Sequence, residues 1–473
     1  MRDRVWSVVQ LVLIVSALRA ATLFIPVFNQ DECYIAVQAE VMNAGGELYR
    51  DVVDRKPPLV PHIYAAVFRA VGGADLIAVH VVMIFWVTAT ALVLGAIMRR
   101  RAGPREARWA TWLFVLGSMM LLPRDALAAN FELWMLLPIC GAMLAGGRGN
   151  PFGDLVAGAL VAIATFMKQP ALVTLAPLAF AIVRAPNRVI GIACAATGFG
   201  TVVAILVRVH DPRLLQWGFF GTGGYLQTDD LLFAVGRAAI WTGSFLVASA
   251  GLWWLVIRSA RTRGFAADLD LWLWLGTAVV GITAGFRFLG HYHLQLVPAA
   301  CLLAARPAAA LTGAVRSRLI AGVTAPAIVC SLLAFVMPNQ PFDTDYRPIA
   351  AYLRDHTART DRVFVWGHFP ELYWAAGRLP AIRFIHTGFL TGHSGARPIR
   401  PDDMRGASAG AWNDVFEDLA RTPPLYVVDL APGAIRNTEH YPIARYPRLA
   451  SWLQQHYDLE AIVEGARLYR RTR

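Results

Sequence analysis

The residues best suited to chemistry lie in one polar stretch, residues 29–64, which directly follows the first apolar segment. The stretch begins with two adjacent carboxylates, Asp31 and Glu32, and later carries Lys56, which two prolines follow. A carboxylate can accept the proton of a hydroxyl group, and a lysine ammonium can bind a phosphate. Carboxylates near one end and a lysine near the other predict a site for a hydroxyl and a phosphate at a membrane surface.

The two carboxylates are expected to differ in role. Adjacent side chains point in different directions on most backbones, so Asp31 and Glu32 are not expected to share one proton. One is expected to act chemically, and the other to be structural or to position a substrate. The alternative is that an acid caps the N-terminus of the short helix predicted over residues 34–42.

Lysine is rare in this chain, since among 44 lysine and arginine residues only Lys56 and Lys168 are lysines. Against an arginine-rich background, each lysine indicates a position where a compact ammonium is preferred to a planar guanidinium. The two prolines after Lys56 disfavour helix and present its side chain from a stiff, extended segment. The alternative for a lysine at this depth is that its ammonium extends to lipid head groups.

Two further segments between apolar runs carry ionisable side chains. The first supplies Asp125 and Glu132, and Glu132 stands at the head of an apolar helix, where the helix dipole favours a carboxylate. The second supplies Arg287, His291 and Tyr292, which can bind phosphate or sugar hydroxyls. Its two histidines are two residues apart and do not share a helix face, so the segment does not favour a metal site.

The composition indicates a membrane protein that crosses the bilayer several times. The 473-residue chain is 56% hydrophobic, its mean hydropathy is +0.47, and about eleven apolar runs approach the ~20 residues that span a bilayer. These runs are residues 5–28, 76–98, 107–122, 131–146, 152–167, 170–184, 189–208, 236–258, 269–288, 294–310 and 319–338. Arginines in the loops explain the net charge of +12, so no nucleic-acid partner is predicted. Five dispersed cysteines without a C-x-x-C pair predict neither disulfides nor a thiolate metal site.

Arginines fall in alternate loops, which predicts the orientation of the chain. If the N-terminus is cytoplasmic, the inner loops contain Arg99, Arg148, Arg184, Arg258 and Arg306, as the positive-inside rule requires. The loops 29–75, 123–130, 209–235 and 289–293, and everything after residue 338, then face outward. The sequence thus predicts a transmembrane domain, residues 1–338, whose first outer loop is 29–75, and an extracytoplasmic α/β domain, residues 339–473.

The C-terminal domain has the periodicity of a soluble protein. Helices are predicted over residues 349–356, 370–376 and 449–457, and buried strands over 362–366 and 425–430. Strands that alternate with helices predict a small α/β unit. The segment 387–412, rich in Gly, Ser, Arg and Pro, is predicted to be a long surface loop.

Several segments together carry a resemblance to a known group of enzymes. The first loop reads DE…Y…G…LY.D…D.KPPL, and later segments read N.E…LP at 130–138, KQ at 168–169, RF.GHY..Q..P at 287–298 and VWG..PELYW..GR.PA.R at 365–383. The pattern resembles the C-type superfamily of integral-membrane glycosyltransferases, and more closely the bacterial members of glycosyltransferase family 39, relatives of the protein O-mannosyltransferases and the lipid A aminoarabinose transferase. It implies a polytopic α-helical membrane protein with about eleven transmembrane helices, the C-type glycosyltransferase fold and a small C-terminal extracytoplasmic α/β domain.

The resemblance also implies a function. The chain would transfer a sugar from a polyprenyl-phosphate donor to a hydroxyl acceptor, with inversion, on the outer face of the cytoplasmic membrane of a bacterium. Asp31 would be the catalytic base, with Glu32 beside it, and Lys56 would contact the donor phosphate. The expected partners are the lipid-linked donor, membrane lipids and a glycan, lipid or protein acceptor.

The remaining candidates are expected to support this reaction. Lys168 and Arg287 are expected to add positive charge at the donor phosphate. The residues expected to position sugar or acceptor hydroxyls are Glu132, Asp125, Tyr34, His291 and Tyr292.

Two alternatives bear on the cofactor and on the class of protein. The aminoarabinose transferase has an acid, proposed as a metal ligand, directly before its loop lysine, where this chain has Arg55. No cofactor is predicted, and a divalent metal is left as an alternative that the guanidinium disfavours. The other class is a polytopic lipid flippase or transporter. A carrier would place ionisable residues near the bilayer midplane, whereas here they cluster at the outer boundary, and Arg19 is the main residue it could use.

Overall fold

The computed structural model describes residues 2–220, 230–337, 344–393 and 397–472. The chain forms two compact units. The helical unit comprises Met1–Phe28, Ile77–Val209 and Leu231–Pro338, and the mixed unit comprises Asn29–Leu76, His210–Asp230 and Asn339–Arg473. The first polar loop thus belongs to the same unit as the C-terminal segment, and the predicted boundary at 338/339 lies outside the described residues.

Apolar helices confirm the predicted multi-pass membrane protein. Within the described ranges, five helices are long and apolar enough to cross a membrane: Leu76–Arg101, Arg188–Val209, Leu231–Ala248, Ala266–Phe286 and Gly313–Val336. Five shorter apolar helices of 10–17 residues accompany them in the same ranges. Apolar side chains are exposed along several of the long helices, as lipid-facing surfaces require.

The helical unit is built from helices alone among the described residues. Its α-helices are Arg2–Leu18, Leu76–Arg101, Pro104–Gly117, Pro123–Ala126, Phe131–Ala145, Pro151–Met167, Leu175–Arg184, Arg188–Val209, Leu231–Ala248, Ala250–Arg263, Leu269–Thr283, Val297–Ala310 and Gly313–Val336. Its 3-10 helices are Ala20–Leu23, Gln169–Thr174, Ala266–Asp268, Ala284–Phe286 and Gly290–Leu296.

The apolar run 236–258, predicted as one span, is divided between two helices. Leu231–Ala248 and Ala250–Arg263 meet at Ser249, whose φ and ψ of −105° and 21° are not helical. The Ser249 hydroxyl donates to the Phe245 carbonyl at 2.5 Å. A serine that bonds back to the preceding turn competes with the helical ladder and bends helices. Hydropathy alone does not reveal this break, because the composition stays apolar across it.

Two glycines let helices 151–167 and 188–209 pack closely. A Cβ on Gly158 would collide with the Ala195 carbonyl, and one on Gly198 would collide with the Leu155 carbonyl. Small residues allow this approach of helix backbones in a membrane. The packing fixes the position of the helix that ends immediately before Lys168.

Arg19, the residue that a carrier could have used, is buried in the helical unit. Its side chain donates to the Leu127 carbonyl at 2.9 Å, and a second guanidinium nitrogen lies 3.8 Å from the Met119 sulfur. A buried guanidinium that satisfies backbone carbonyls stabilises a loop, and this role accounts for Arg19 without transport.

The mixed unit combines helices with a small sheet. Its α-helices are Gln30–Asn43, Leu59–Val71, Arg213–Gly218, Arg347–His356, Glu371–Ala376, Gly388–Thr391, Ala411–Arg421 and Pro447–His456. Its 3-10 helices are Ala431–Gly433, Ile435–His440 and Ile443–Arg445. The strands are β1 (Val363–Trp366), β2 (Tyr426–Asp429), β3 (Tyr457–Val463) and β4 (Ala466–Arg471).

The sheet confirms the predicted small α/β unit. Its strand order is β1-β2-β4-β3. β1 and β2 are parallel, with Val363 opposite Tyr426, and the other two pairings are antiparallel. Both predicted strands, β1 and β2, are buried throughout, whereas the hairpin β3–β4 was not predicted.

The predicted surface loop 387–412 is wrong in its first residues. Gly388–Thr391 form a helical turn whose four residues are all buried. Phe389 and Leu390 supply apolar side chains to the interior of the mixed unit, and this local apolar pair outweighs the polar composition of the segment around it.

Candidate functional site

The first helix of the mixed unit, residues 30–43, begins with a capping box. Asn29 Oδ1 accepts a hydrogen bond from the backbone N–H of Asp31 at 3.1 Å. In return, Glu32 Oε2 accepts one from the backbone N–H of Asn29 at 3.1 Å. The helix therefore starts four residues earlier than predicted, and the cap is Asn29 rather than an acid. Glu32 is fully buried, and its carboxylate takes part in the cap of this helix.

Asp31 and Lys56 lie together, 25 residues apart in the chain. Asp31 Oδ2 is 3.8 Å from Lys56 Nζ, and about a quarter of each side chain is exposed (24% and 26%). The Lys56 ammonium also lies 6.0 Å from the centroid of the Tyr34 ring. Tyr34 is one turn after Asp31 on the same helix face, and its hydroxyl donates to the Val53 carbonyl at 3.1 Å. The structure thus brings the predicted residues Asp31, Tyr34 and Lys56 together, with Asp31 and Lys56 partly exposed and Tyr34 buried. We call Asp31 and Lys56 the surface pair.

The segment that carries Lys56 is held from both sides. The Tyr49 hydroxyl donates to the Lys56 carbonyl at 2.9 Å. Gln38 donates to the buried Asp54 carboxylate at 3.0 Å. Burial raises the pKa of Asp54, while the nearby Lys56 ammonium and the Gln38 hydrogen bond oppose that rise. Pro58 then starts the helix Leu59–Val71, so the lysine lies on a short fixed segment between two anchored ends.

Residues of the C-terminal segment also hold this loop. The Val53 N–H donates to the Arg383 carbonyl at 2.9 Å, and the Arg383 guanidinium is held by Asp418 through two bonds of 2.8 Å. The Arg55 guanidinium lies 4.4 Å from the centroid of the Phe389 ring and donates to the Gly406 carbonyl at 3.3 Å.

A divalent metal does not fit beside Lys56. The preceding position carries the Arg55 guanidinium, a cation with no acceptor atom. Among the described residues, no group of three or more histidine, cysteine, aspartate or glutamate side chains could hold a metal ion.

Sequence reasoning missed Arg436, which holds the start of helix 30–43. Its guanidinium donates to the Gln30 side chain at 2.8 Å and to the Glu371 carboxylate at 2.7 Å. Arg436 has a φ of +54°, a conformation that a non-glycine residue adopts only when its surroundings impose it. No motif around Arg436 signals this role, because its partners lie 65 and 406 residues away.

A second group of predicted residues comes together in the helical unit. Glu132 and Lys168 form a buried ion pair, and the Lys168 ammonium lies 4.0 Å from the centroid of the Tyr292 ring. His291 faces two carboxylates: its Nδ1 is 2.8 Å from an Asp125 oxygen, and its Nε2 is 3.7 Å from a Glu132 oxygen. We call these five residues the buried network.

The members of the buried network lie at helix ends or in 3-10 turns. Asp125 lies in the turn Pro123–Ala126, and Glu132 lies in the first turn of Phe131–Ala145. Lys168 follows Pro151–Met167, and the other two members lie in Gly290–Leu296. A side chain on Gly290 would collide with the Asp125 carboxylate, so glycine is required for the His291 N–H to donate to that carboxylate at 3.0 Å.

Arg287 is the remaining predicted residue. It is 1% exposed in the helical unit, and its carbonyl accepts a hydrogen bond from the Arg237 guanidinium at 3.2 Å. The predicted residues therefore divide between the two units. Asp31, Glu32, Tyr34 and Lys56 belong to the mixed unit, and Arg287 and the buried network belong to the helical unit.

The Glu132–Lys168 ion pair allows a test of the buried network. Glu132→Gln leaves a buried ammonium without its counter-charge, which is expected to destabilise the protein by about 3–5 kcal/mol. The double variant Glu132→Gln with Lys168→Met removes both charges and should recover much of that loss. The measurement is the thermal unfolding midpoint of the purified protein in detergent. Additive effects of Glu132→Gln and Lys168→Met, each also measured alone, would show that the pair is not coupled.

Comparison with known proteins identifies the fold. No protein-family model and no curated protein sequence matches the chain. Several solved structures match the chain in fold. ArnT from Cupriavidus metallidurans, bound to undecaprenyl phosphate, superposes with a TM-score of 0.64 at 14% identity, over 99% of this chain and 98% of that one. The apo form of the same protein gives a TM-score of 0.63 at 14% identity, with the same coverage.

An archaeal structure shares the fold as well. The oligosaccharyltransferase AglB from Archaeoglobus fulgidus, in complex with an inhibitory peptide and a dolichol-phosphate, gives a TM-score of 0.54 at 11% identity, over 99% of this chain and 75% of that one. Similarity in architecture over nearly the whole chain, at so low an identity, is evidence of fold. The chain therefore has the fold of the C-type integral-membrane glycosyltransferases.

Proposed function

We propose that this chain transfers a sugar from a polyprenyl-phosphate donor to a hydroxyl acceptor. The observation that carries the proposal is the accessible pair of Asp31, in the first turn of helix 30–43, and Lys56, on an anchored segment, whose charged atoms are 3.8 Å apart. The fold supports it, since solved structures of that fold contain undecaprenyl phosphate in ArnT and a dolichol-phosphate in AglB. A base beside a fixed ammonium provides both groups that such a transfer needs.

The proposed reaction is a single displacement with inversion. The acceptor oxygen attacks the anomeric carbon of the sugar and gives its proton to the Asp31 carboxylate. As the new carbon–oxygen bond forms, the bond between that carbon and the phosphate oxygen breaks. Polyprenyl phosphate leaves with the bonding electron pair as an anion, so no general acid is needed.

Lys56 is proposed to stabilise the leaving phosphate. Negative charge develops on the phosphate oxygen as its bond to the sugar breaks, and a preplaced ammonium lowers the energy of that state without reorganisation. The anchored Lys56 carbonyl and the two prolines that follow keep the ammonium in place. The Asp31 carboxylate lies 3.8 Å from the same ammonium.

The other predicted residues receive supporting roles in the proposal. Arg287 is proposed as a further cation for the donor phosphate. Lys168 was expected to act in the same way, but Glu132 already compensates its charge, so its first role in this proposal is to hold the buried network. Asp125, Glu132, His291 and Tyr292 are proposed to position hydroxyl groups through that network.

The proposal has a direct cellular test. Deletion of the gene should cause one polyprenyl-phosphate sugar to accumulate and one class of envelope glycan, glycolipid or glycoprotein to lose that sugar. Complementation with the wild-type chain should reverse both changes. If lipid-linked sugars and surface glycans both stay unchanged, the chain is not a transferase of this kind.

The proposed location of the surface pair is the outer face of the cytoplasmic membrane. Arginines in alternate loops support this orientation. We expect a reporter that is active only in the cytoplasm to be silent when fused after residue 473, and a reporter that is active only outside to give signal there. A fusion within the arginine-rich turn after residue 101 should show the reverse pattern. Cytoplasmic activity at residue 473 would contradict the orientation.

A further inference from the structure

Two histidines in the mixed unit stack on each other beside the surface pair. The His368 and His386 rings are 4.5 Å apart between centroids and nearly parallel, at 6°. The His386 ring also packs against Tyr34 at 5.4 Å and against Phe389 at 5.0 Å. Both histidines are half-buried. We call these four side chains the aromatic platform.

The tautomer of His386 is fixed by the backbone. The Gly388 N–H donates to His386 Nδ1 at 3.0 Å, so the ring carries its proton on Nε2 when it is neutral. A Cβ on Gly388 would come within 2.8 Å of the ring, so the glycine is required for this contact. Among the described residues, His386 Nε2 has no hydrogen-bond partner.

Burial disfavours the charged form of both imidazoles. Burial lowers the pKa of His368 to about 3, and the Arg436 guanidinium adds to that effect. Burial also lowers the pKa of His386 well below its ordinary value, with smaller contributions from His368, Arg55 and Lys56. An imidazole whose charged form is disfavoured is a poor base and a poor partner for a phosphate.

The platform borders the surface pair through Tyr34. Tyr34 and Asp31 are three residues apart on helix 30–43, and the Lys56 ammonium lies 6.0 Å from the Tyr34 ring centroid. The Asp31 carboxylate and the Lys56 ammonium are also among the charges that act on the pKa of His368. A molecule held at the surface pair therefore has the two neutral imidazoles as neighbours.

Neutral imidazoles suit one class of ligand group. His386 offers its Nε2–H as a donor to a hydroxyl oxygen, since its Nδ1 already accepts from the Gly388 N–H, and a neutral His368 ring has one N–H donor and one nitrogen acceptor. Aromatic faces next to a few convergent polar groups are typical of small-molecule sites. We propose that His368 and His386, as positioning and specificity-determining residues, bind hydroxyl groups of a sugar ring held beside Asp31 and Lys56, an inference that rests on the proposed function.

The experiment distinguishes binding of the sugar from binding of the lipid phosphate. The purified full chain, in a detergent without a sugar head group, is titrated with undecaprenyl phosphate and with undecaprenyl-phosphate mannose and glucose. The variants are His368→Phe and His386→Phe, which keep a stacking ring, and His386→Gln, which restores an amide N–H near the position of Nε2. His356→Phe is the matched control, because His356 is an exposed histidine that stacks on Tyr352 at 3.9 Å.

The expected result is specific to the sugar. His386→Phe should bind undecaprenyl phosphate with the affinity of the wild type. It should bind the undecaprenyl-phosphate sugars about 10-fold more weakly than the wild type, because hydrogen bonds to sugar hydroxyls are lost. His386→Gln should recover part of it, and His356→Phe should change nothing. If the platform instead binds a sugar of the acceptor, donor affinity stays constant and the KM for a glycan acceptor rises by a similar factor.

Other outcomes distinguish this inference from the proposed function. If both phenylalanine variants keep the donor affinity and the acceptor KM of the wild type, His368 and His386 do not bind sugar hydroxyls. The transferase proposal would stay intact. If the wild type itself bound neither undecaprenyl phosphate nor its sugar derivatives, the proposed function would fail first. Equal binding of undecaprenyl phosphate by each variant shows that it is folded.

Discussion

Asp31→Asn is expected to lower sugar transfer by about 10²–10⁴-fold, the usual contribution of a general base. The substitution keeps the shape of the side chain and removes its basicity, so the acceptor hydroxyl loses the group that takes its proton. Donor binding should change little, because Lys56 stays in place. The measurements are single-turnover transfer from a polyprenyl-phosphate sugar and, separately, the affinity for that donor.

The capping box of helix 30–43 provides the controls. Asn29→Ala removes the cap and should destabilise the protein by about 1 kcal/mol, with transfer reduced only as far as the fold is lost. Glu32→Gln keeps the shape of the other acid and tests whether that acid contributes basicity. If Asp31→Asn turned over like the wild type while Glu32→Gln was inactive, the base would be Glu32.

Hydropathy and charge were sufficient to predict the class of fold. Long apolar runs leave few alternatives to membrane helices, since each span must satisfy its backbone internally. The same reasoning located β1 and β2, whose residues are buried on both faces and are therefore mostly apolar in sequence. Signals of this kind depend on local composition, which a single sequence displays.

Features that depend on long-range contacts could not be predicted. β3 was missed because most of its residues are exposed and Asp458 and Glu460 interrupt its apolar pattern. Its place in the sheet depends on pairing with β4. The turn Gly388–Thr391 is buried by its surroundings in the mixed unit although its neighbours are polar. In each case tertiary packing overrides local composition.

The site was predicted in part for the same reason. Asp31 and Lys56 were recognised by residue type and by a stiff proline-containing segment, and the structure places them together. The capping role of Asn29 was missed because the helix starts earlier than its apolar residues indicate. The contact of Asp125 with His291 spans 166 residues, and the His368–His386 stack joins two loops. No spacing rule predicts such contacts.

Lys56→Arg is expected to lower transfer by about 10²–10³-fold, the loss that follows when one group stabilising the developing charge is misplaced. The charge is kept, but a guanidinium forms a two-bonded pair with a carboxylate. With Asp31 Oδ2 only 3.8 Å from Lys56 Nζ, an arginine would occupy the carboxylate oxygens that must accept the acceptor's proton. The backbone at residue 56 is anchored through its carbonyl, so the longer arginine side chain would also carry its charge beyond the position of the ammonium.

The control for this exchange is the reverse substitution at a solvent-exposed arginine of the same loop. Arg50 is 54% exposed and pairs with Glu47 at 3.5 Å, so Arg50→Lys should leave transfer within about twofold of the wild type. Lys56→Met completes the series, because it removes the charge without adding a guanidinium that can form two hydrogen bonds with a carboxylate. If Lys56→Arg and Lys56→Met both transfer sugar at the wild-type rate, Lys56 only extends to lipid head groups. If the arginine variant is active and the methionine variant is not, charge alone is sufficient, and the geometric argument from the Asp31 carboxylate is wrong.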